Sequence, residues 1–333
     1  MIEVHRLVKR YGTLEAVSDL SFTLADGQVL GFLGPNGAGK TTVMKILTGF
    51  HFPSGGEALV DGVSVEDDPV AVKRLIGYLP EGVPLYGDLT VTEYLGFIAA
   101  ARLVPVEKRA SAIDAAVERC GLSRVAARRI ETLSKGYKQR TGLAQAIIHD
   151  PPILILDEPT TGLDPNQIIE IRGLIKDLGK RKTVILSTHI LQEVEAVCTQ
   201  VLILNAGRVA AQGSPGQIAA GLRGGEIWTL VLKGGDPGTV REGLEALAGG
   251  FGGAEVSGVE AGEGGEVHAV FVVPGGARPF SDAASASNAE RIFDWAVSRN
   301  FKILEMSRKK TSLEDIFVKL TGASAANEVS NEN

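Results

Sequence analysis

The residues best suited to chemistry form a glycine-rich run that ends in a lysine and two threonines. The run consists of Gly34, Pro35, Asn36, Gly37, Ala38, Gly39, Lys40, Thr41 and Thr42. Its glycines let the backbone turn tightly and direct successive N–H groups at phosphate oxygens. Lys40 supplies a positive charge to the β- and γ-phosphates, and the Thr41 hydroxyl is a ligand that Mg²⁺ accepts. The run therefore predicts a bound nucleoside triphosphate with Mg²⁺; a glycine-rich turn that binds nothing is the alternative.

Two adjacent carboxylates provide the second chemical signal. The apolar stretch 153–156 reads as a buried strand and ends abruptly at Asp157 and Glu158. Charge at the end of a buried strand is costly unless a metal ion or a reacting water is present. Asp157 is suited to bind Mg²⁺ directly or through water, and Glu158 to polarise the attacking water as a general base. A strand followed by a solvated acidic turn is the alternative.

These residues need strands and helices to position them. Residues 28–33 before the glycine-rich run are strand-like, and residues 43–47 after it have helical character. The strongest strands are predicted at 29–33, 153–156, 184–187 and 201–204. They alternate with helices from residue 1 to about 220, which predicts an α/β fold around a largely parallel, buried sheet. Between about 86 and 149 a helical insertion is expected, with helices at 91–102, 106–120 and 135–149.

The composition changes after the glycine-rich residues 221–225, which read as a linker. The elements predicted behind it are a strand at 227–233, a helix at 240–248, strands at 254–259 and 266–273, a helix at 288–299 and a strand at 302–307. This β-α-β-β-α-β order is that of the ferredoxin-like motif and predicts a small α+β domain over residues 226–320. Ser312 is suited to cap a final helix, and residues 321–333 are expected to be a disordered tail.

Length and composition narrow the class of protein. A chain of 333 residues with 44% hydrophobic content favours two domains. The net charge of −6 disfavours a general nucleic-acid surface, which needs clustered lysine and arginine. The two cysteines, Cys120 and Cys198, lack the spacing of a zinc site and are expected to be buried thiols. No apolar run approaches the roughly 18 residues that span a bilayer, so the chain is expected to be soluble and unsecreted.

A third motif opens a predicted helix. Residues 133–140 read Leu-Ser-Lys-Gly-Tyr-Lys-Gln-Arg, in which Ser134 is a good N-cap and Gly136 permits close backbone approach. The start of this helix is therefore able to receive a γ-phosphate, and an ordinary capped helix is the alternative. Together with the glycine-rich run and the acidic pair, which read as Walker A and Walker B segments, this motif resembles the signature of ATP-binding cassette (ABC) proteins. The sequence departs from the familiar Leu-Ser-Gly-Gly-Gln at Lys135 and Tyr137.

The resemblance assigns roles to four further residues. Asp164, in the Thr-Gly-Leu-Asp run that resembles the D-loop, is implied to lie near nucleotide between paired subunits. His189 resembles the switch histidine that senses the γ-phosphate, and Tyr11 matches the aromatic position that stacks on adenine. A structural histidine and an exposed turn tyrosine are the alternatives. Glu81 stands where the family more often has glutamine, which implies a catalytic position beside the metal.

The resemblance becomes specific to a subfamily. Residues 76–81, 84–86, 89–91 and 311–317 are similar to ATPase subunits of ABC-2 type exporters, including the gliding-motility and copper-processing branches. This implies a P-loop NTPase fold and an ATP-hydrolysing subunit that drives export through a separate membrane permease. It also implies a head-to-tail pairing, as a homodimer or with another ATPase subunit, in which Ser134 and Gly136 of one subunit enclose ATP on the phosphate loop of the other. The expected location is cytoplasmic, peripheral on the inner face of the cell membrane.

Two other classes of function stay open at this stage. A soluble ABC ATPase that acts on ribosomes or DNA is disfavoured by the single phosphate loop, the lack of a long coiled-coil insertion and the acidic balance. A regulatory ATP sensor would use the β-α-β-β-α-β domain to bind a small ligand. No nucleic-acid partner is expected.

Overall fold

The computed structural model describes residues 1–221, 226–251, 254–273 and 288–310. Its contacts divide the chain into two compact units, one formed by Met1–Pro215 and a second that begins at Gly216. The linker residues 222–225, the helix expected after Ser312 and the tail expected at 321–333 lie outside the described residues.

The first unit alternates strands and helices over most of its length. Its strands are β1 (Ile2–Tyr11), β2 (Leu14–Leu24), β3 (Val29–Leu33), β4 (Gly55–Val60), β5 (Val63–Ser64), β6 (Ile76–Leu79), β7 (Ile153–Asp157), β8 (Thr183–Thr188), β9 (Gln200–Asn205) and β10 (Arg208–Gly213). Its helices are α1 (Lys40–Leu47), α2 (Pro69–Leu75), α3 (Val91–Ala101), α4 (Val106–Arg119), α5 (Lys135–Ile147), α6 (Pro165–Gly179) and α7 (Leu191–Val197). Helix α8 (Pro215–Gly221) follows β10.

A six-stranded sheet with the order β10-β9-β3-β8-β7-β6 carries the predicted chemistry. All neighbouring strands in it are parallel except β10 and β9. The register pairs Leu33 with Thr188, Asp157 with Ser187, and Leu79 with Leu156. Because parallel strands end at one edge of a sheet, the loops after β3, β8, β7 and β6 leave this edge side by side. The predicted parallel, buried sheet is confirmed.

A second sheet, with the order β2-β1-β4-β5, is antiparallel and was not predicted. It shares one apolar core with the parallel sheet, in which the rings of Phe22 and Phe32 meet edge to face at 5.2 Å. Left-handed residues Arg6 and Asp19, with φ of 46° and 50°, accompany shifts in the β1–β2 register. These shifts interrupt the alternation by which a strand is identified in sequence.

The helices predicted between residues 86 and 149 are confirmed as α3, α4 and α5. The first begins with a reciprocal capping box between Thr90 and Glu93. Helix α5 packs against β6, where Gly77 lets the carbonyl of Ala146 approach closely and Gly142 faces Leu79. Gly142 meets Leu79 at the end of β6, and Ala146 meets Gly77 nearer its start, so α5 and β6 run in opposite directions. The helix therefore starts beyond the carboxyl edge of the sheet.

The second unit is an antiparallel sheet with helices on one face. Its elements are β11 (Glu226–Lys233), α9 (Pro237–Ala248), β12 (Glu255–Ala261), β13 (Glu266–Val273), α10 (Asn288–Ser298) and β14 (Lys302–Lys310). The strand order is β12-β13-β11-β14, with antiparallel pairing throughout. Its core contains Trp228 and Phe271 of the sheet with Leu244 and Trp295 of the two helices. The predicted β-α-β-β-α-β order is confirmed.

Cys120 and Cys198 are both free and buried, as expected. Among the residues that the structure describes, none of the helices is long and apolar enough to cross a membrane.

Candidate functional site

The glycine-rich run forms a tight loop between β3 and α1. Gly37 and Gly39 have φ of 82° and 102°, a region that L-residues rarely adopt. A Cβ atom at Gly34 would lie 2.6 Å from the carbonyl oxygen of Leu204, and one at Gly39 would lie 2.6 Å from that of Ala16. The backbone conformation therefore requires glycine at Gly37 and Gly39, and the close approach of neighbouring carbonyl groups requires it at Gly34 and Gly39. Such a loop at the start of a helix is suited to bind phosphate.

Lys40 lies in the first turn of α1 and is only 6% exposed. Its ammonium group donates to the carbonyl oxygens of Gly34, at 2.7 Å, and of Pro35, at 3.2 Å. Burial lowers the pKa of Lys40, and the negative charges of Glu158, Asp157 and Glu81 act in the opposite direction. The ammonium group of Lys40 thus donates to neutral carbonyl oxygens of the phosphate loop. It is able to exchange these hydrogen bonds for stronger, charge-assisted ones to a bound phosphate.

Asp157 ends β7 and is 1% exposed. Its Oδ1 atom accepts a hydrogen bond from the hydroxyl of Ser187, whereas its Oδ2 atom is buried without a partner among the described residues. A buried carboxylate oxygen with a free lone pair fits a bound cation. Helix α1, which carries Thr41 in its first turn, packs against β7.

The described residues contain no group of three or more His, Cys, Asp and Glu side chains able to hold a metal ion. Mg²⁺ does not need one, because it commonly binds through one or two protein oxygens, waters and substrate phosphates. Asp157 and Thr41 fit that requirement.

Glu158 follows directly and is also buried. Its φ of 49° is unusual for a residue with a side chain and marks backbone strain of the kind stored at functional sites. Its Oε2 atom lies 2.9 Å from Nδ1 of His189 and accepts from the hydroxyl of Thr161 at 3.1 Å. Its N–H group lies within hydrogen-bonding distance of the hydroxyl and the carbonyl oxygen of Ser187. His189 is 53% exposed in its side chain, so the pair faces solvent on one side.

Glu81 lies in the loop after β6 and is exposed. Its negative charge acts on the ammonium group of Lys40 and on the phenol of Tyr78, whose pKa is raised mainly by burial. The structure thus brings Lys40, Asp157, Glu158 and Glu81 into one electrostatic cluster, to which His189 is joined through Glu158.

Tyr11 lies at the end of β1, in the hairpin that leads to β2, and is 42% exposed. Its ring contacts that of His51 edge to face at 5.9 Å, and the ammonium group of Lys9 lies 5.2 Å from the ring centroid. Strand β2 carries Ala16, which packs on Gly39 of the phosphate loop. The ring is therefore partly accessible for stacking, and the strand that follows its hairpin contacts the phosphate loop.

Ser134 and Gly136 form a separate cluster with the start of α6. The Ser134 hydroxyl accepts from the N–H group of Tyr137 at 3.5 Å and caps α5. A Cβ atom at Gly136 would lie 2.5 Å from the side-chain amide of Gln167, and one at Gly162 would lie 2.0 Å from Nζ of Lys135. The signature segment and the D-loop segment are therefore in direct contact within one subunit.

Asp164 caps α6. It accepts from the N–H group of Gln167 at 2.9 Å, and the Gln167 side chain accepts from the N–H group of Asp164 at 3.4 Å. Ser134 lies eight residues before Gly142 on α5, which corresponds to about 12 Å along a helix that starts beyond the sheet edge. Ser134 therefore lies beyond the sheet edge, at the start of α5, and Asp164 caps the helix whose Gln167 meets Gly136 there.

Two residues of the site were not identified from the sequence. Ser187 contacts both Asp157 and Glu158, and Thr161 donates to Glu158. A hydroxyl directly after the apolar run of β8 was the available signal for Ser187, since a buried hydroxyl must find a partner.

Comparisons with known proteins agree with this geometry. The profile of the family described as "ABC transporter" matches residues 17–161. An uncharacterized ABC transporter ATP-binding protein of Bacillus subtilis (strain 168) is 40% identical over 215 residues, which cover 64% of this chain and 70% of that protein. The Nod factor export ATP-binding protein I of Rhizobium meliloti (strain 1021) is 33% identical over 322 residues, or 96% of this chain and 88% of that protein. The dimeric structure of a bacterial ABC transporter cassette superposes with a TM-score of 0.60 at 25% identity, covering 64% of this chain and 98% of that chain.

Proposed function

This chain belongs to the ABC transporter ATP-binding protein family, and from that premise we propose that it hydrolyses ATP to power export through a separate membrane-spanning subunit. The proposal rests on one observation: four side chains lie together at the carboxyl edge of the parallel sheet, next to the glycine-rich loop. They are Lys40, Asp157, Glu158 and His189. The name of the Nod factor export relative supports the direction of transport. The ABC-2 type exporter branch, including its gliding-motility and copper-processing members, remains our subfamily proposal.

The roles follow from the position of each group. The loop N–H groups and Lys40 bind the phosphates, while Thr41 and Asp157 hold Mg²⁺, which supplies charge neutralisation on the phosphate oxygens when bound. Glu158 orients the attacking water and accepts its proton. His189 holds the Glu158 carboxylate through Nδ1 and senses the γ-phosphate. Glu81 adds negative charge beside Lys40, and Tyr11 stacks on the adenine ring.

We further propose that each subunit carries half of each ATP site. Ser134 and Gly136 lie at the start of α5, beyond the sheet edge, in contact with the helix that Asp164 caps. A second subunit in head-to-tail orientation would bring these three residues to the γ-phosphate. The start of α5 presents N–H groups and a capping hydroxyl, which suit an anion. The dimer in the bacterial cassette structure supports this pairing.

The proposed dimer is tested with a variant that hydrolyses ATP slowly and therefore keeps it bound. Glu158→Gln with ATP and Mg²⁺ is expected to sediment as a dimer, and Glu158→Gln combined with Lys40→Ala as a monomer, because ATP then binds poorly. Analytical ultracentrifugation distinguishes the two. An ATP-independent monomer for Glu158→Gln would contradict shared ATP sites.

A groove in the first unit supports docking of the membrane subunit. It has a volume of about 910 Å³ and lies between α1, α2 and β6 on one side and α3 on the other. Its lining combines exposed apolar side chains, among them Phe50, Val70 and Leu103, with four cationic residues, Lys45, Lys73, Arg74 and Arg102. An apolar groove of this kind fits an amphipathic segment of a partner protein. We propose that this segment belongs to the permease, which keeps the chain peripheral on the cytoplasmic face of the membrane.

Membrane association tests the docking proposal. Leu103 is 67% exposed and lines the groove, whereas Val106 is 73% exposed and does not. In the native cell, Leu103→Asp is expected to move the protein from the membrane pellet to the supernatant, and the matched Val106→Asp variant to stay in the pellet. Equal release of both variants would contradict the groove as the docking site. Co-purification of the wild-type chain from native membranes identifies the permease.

A further inference from the structure

Glu193 is a buried carboxylate that belongs neither to the phosphate loop nor to the acidic pair Asp157 and Glu158. It lies in the first turn of α7 and is 1% exposed. Its Oε2 atom accepts from the hydroxyl of Thr188 at 2.8 Å, and its Oε1 atom accepts from the hydroxyl of Thr160. A guanidinium nitrogen of Arg172, on α6, lies 3.5 Å from Oε1. One side chain therefore joins the loop after β7, the end of β8 and helix α6.

The two threonine partners of Glu193 are the chain neighbours of two residues that contact the Glu158 carboxylate. Thr160 precedes Thr161, which donates to Oε2 of Glu158, and Thr188 precedes His189, which contacts the same oxygen. The hydroxyl of Thr188 also accepts from the N–H group of Ile190 at 3.0 Å, which fixes the chain on the far side of His189. Glu193 thus fixes both backbone segments from which the contacts to the Glu158 carboxylate arise.

Packing alone gives a weak reason for this arrangement. Burying a carboxylate carries a desolvation penalty, and an apolar residue of similar volume is often as stable as a buried ion pair. The site around Glu193 satisfies both oxygens with donors from three elements, a geometry that an apolar side chain would not impose. The backbone of Glu158 is strained at φ 49°, so it depends on its surroundings to keep that conformation.

We propose that Glu193 is a positioning residue, which keeps Glu158 and His189 in the geometry required for ATP hydrolysis without touching the nucleotide. The inference rests on the proposed ATPase function and adds a residue to that site. A displacement of about 1 Å in a reacting group is able to lower a rate by about 100-fold. Glu193→Ala is therefore expected to lower kcat by about 10- to 100-fold and to leave KM for ATP within about threefold.

The experiment compares four changes in the full chain by steady-state phosphate release with ATP and Mg²⁺. Glu193→Gln keeps an acceptor and the side-chain shape, so it is expected to recover most of the kcat lost in Glu193→Ala. The double variant Thr160→Val with Thr188→Val removes both hydroxyl donors and preserves shape, and it is expected to lower kcat as Glu193→Ala does. Glu195→Ala, an exposed carboxylate on the same helix, is the matched control and is expected to leave kcat unchanged.

A second readout separates positioning from a general loss of structure. In the Glu158→Gln background, adding Glu193→Ala is expected to preserve ATP affinity, because the nucleotide-binding loop does not depend on Glu193. Loss of ATP affinity there, or a KM that rises in step with the fall in kcat, would overturn the inference. If Glu193→Ala does not fold, the double threonine variant decides the matter, and a wild-type kcat in that variant would overturn the inference.

Failure of the proposed function gives a different pattern. If the wild-type chain releases no phosphate from ATP, alone or with its membrane partner, the ATPase assignment fails and the Glu193 inference fails with it. If the wild-type chain hydrolyses ATP and Glu193→Ala does so at the same kcat, the ATPase assignment stands and only the role of Glu193 is wrong.

Discussion

Nδ1 of His189 lies 2.9 Å from Oε2 of Glu158, at the ends of two adjacent parallel strands. The histidine is half exposed while the carboxylate is buried, so the pair has one face toward solvent and one toward the protein. A general base with one fixed oxygen keeps its other oxygen available for water. The contact links the acidic pair directly to His189.

Replacing this histidine tests the link. His189→Ala is expected to lower phosphate release by about 100-fold, because Glu158 loses a donor and the γ-phosphate loses a contact. ATP affinity, measured by equilibrium binding, is expected to stay close to that of the wild type. His5→Ala, which changes an exposed histidine of β1, serves as the control. A wild-type hydrolysis rate in His189→Ala would show that the contact has no catalytic role.

Lys40 and Lys45 offer a matched pair on one helix. Lys40→Ala is expected to weaken ATP binding by about 10- to 100-fold, because a charge-assisted hydrogen bond contributes about 1.5–3 kcal/mol. Lys45, about one turn and a half further along α1, lines the apolar groove, and Lys45→Ala is expected to bind ATP normally. Calorimetric titration with ATP and Mg²⁺ measures both. Equal affinity in the two variants would refute the role of Lys40.

The unpartnered Oδ2 atom of Asp157 predicts a defect in metal dependence. Asp157→Asn removes the negative charge while keeping the shape, so hydrolysis is expected to need about tenfold more Mg²⁺ for half of its maximal rate. Asp177→Asn, an exposed position on α6, is the control. A Mg²⁺ titration of phosphate release measures the shift. An unchanged midpoint in Asp157→Asn would mean that this carboxylate does not hold the metal.

The contact between Gly136 and Gln167 predicts a steric defect in the signature segment. Gly136→Ala places a Cβ atom against the Gln167 amide, which must move and so disturbs the cap that Asp164 forms on α6. It is expected to lower Tm and to weaken the ATP-dependent dimer. Gly173→Ala, at an open position on α6, is expected to stabilise the protein by up to about 1 kcal/mol. Both are measured by thermal unfolding and sedimentation. Equal Tm values for the two variants would contradict the packing of Gly136.

Much of the first unit was predictable from the sequence because its polar site residues stand where apolar runs end. Strand β3 has the predicted bounds, and β7 extends by one residue to Asp157, since both are apolar runs that end at polar loops. The antiparallel sheet was not predictable in the same way. Its bulges at Arg6 and Asp19 interrupt the two-residue alternation, and β1 pairs with β4 across about 50 residues of sequence.

The candidate site shows the same division. Lys40, Asp157 and Glu158 were predicted because their residue types are constrained by local sequence context. Ser187 and Glu193 were not, because their roles arise from β7 and β8 being neighbours and from α7 following β8, relationships that exist only in the folded chain. Glu193 reads in sequence as an ordinary helix glutamate, although the structure buries it completely.

His149 predicts a specific pH dependence of stability. Burial, with the positive charges of Arg102 and Lys182, lowers its pKa from 6.5 to about 4. Between these values the unfolded chain binds a proton that the folded chain does not, so the free energy of unfolding is expected to fall as pH drops from 6.5 to 4. His149→Gln is expected to reduce this loss.

The control for this effect is His5→Gln, which changes an exposed histidine in the same unit. Tm values of the wild type and both variants, measured between pH 4 and pH 8, give the comparison. The difference in Tm between His149→Gln and the wild type is expected to shift in favour of the variant only below pH 6.5. A constant difference across the range would contradict the lowered pKa.

The central claim is that Glu158 activates water for hydrolysis of ATP bound at the Lys40 loop. The most direct measurement is single-turnover hydrolysis of ATP, with Mg²⁺ and protein in excess, by the wild type and Glu158→Gln. Glu158→Gln is expected to bind ATP as tightly as the wild type and to hydrolyse it at least about 100-fold more slowly. Hydrolysis by Glu158→Gln at the wild-type rate would show that Glu158 is not the general base.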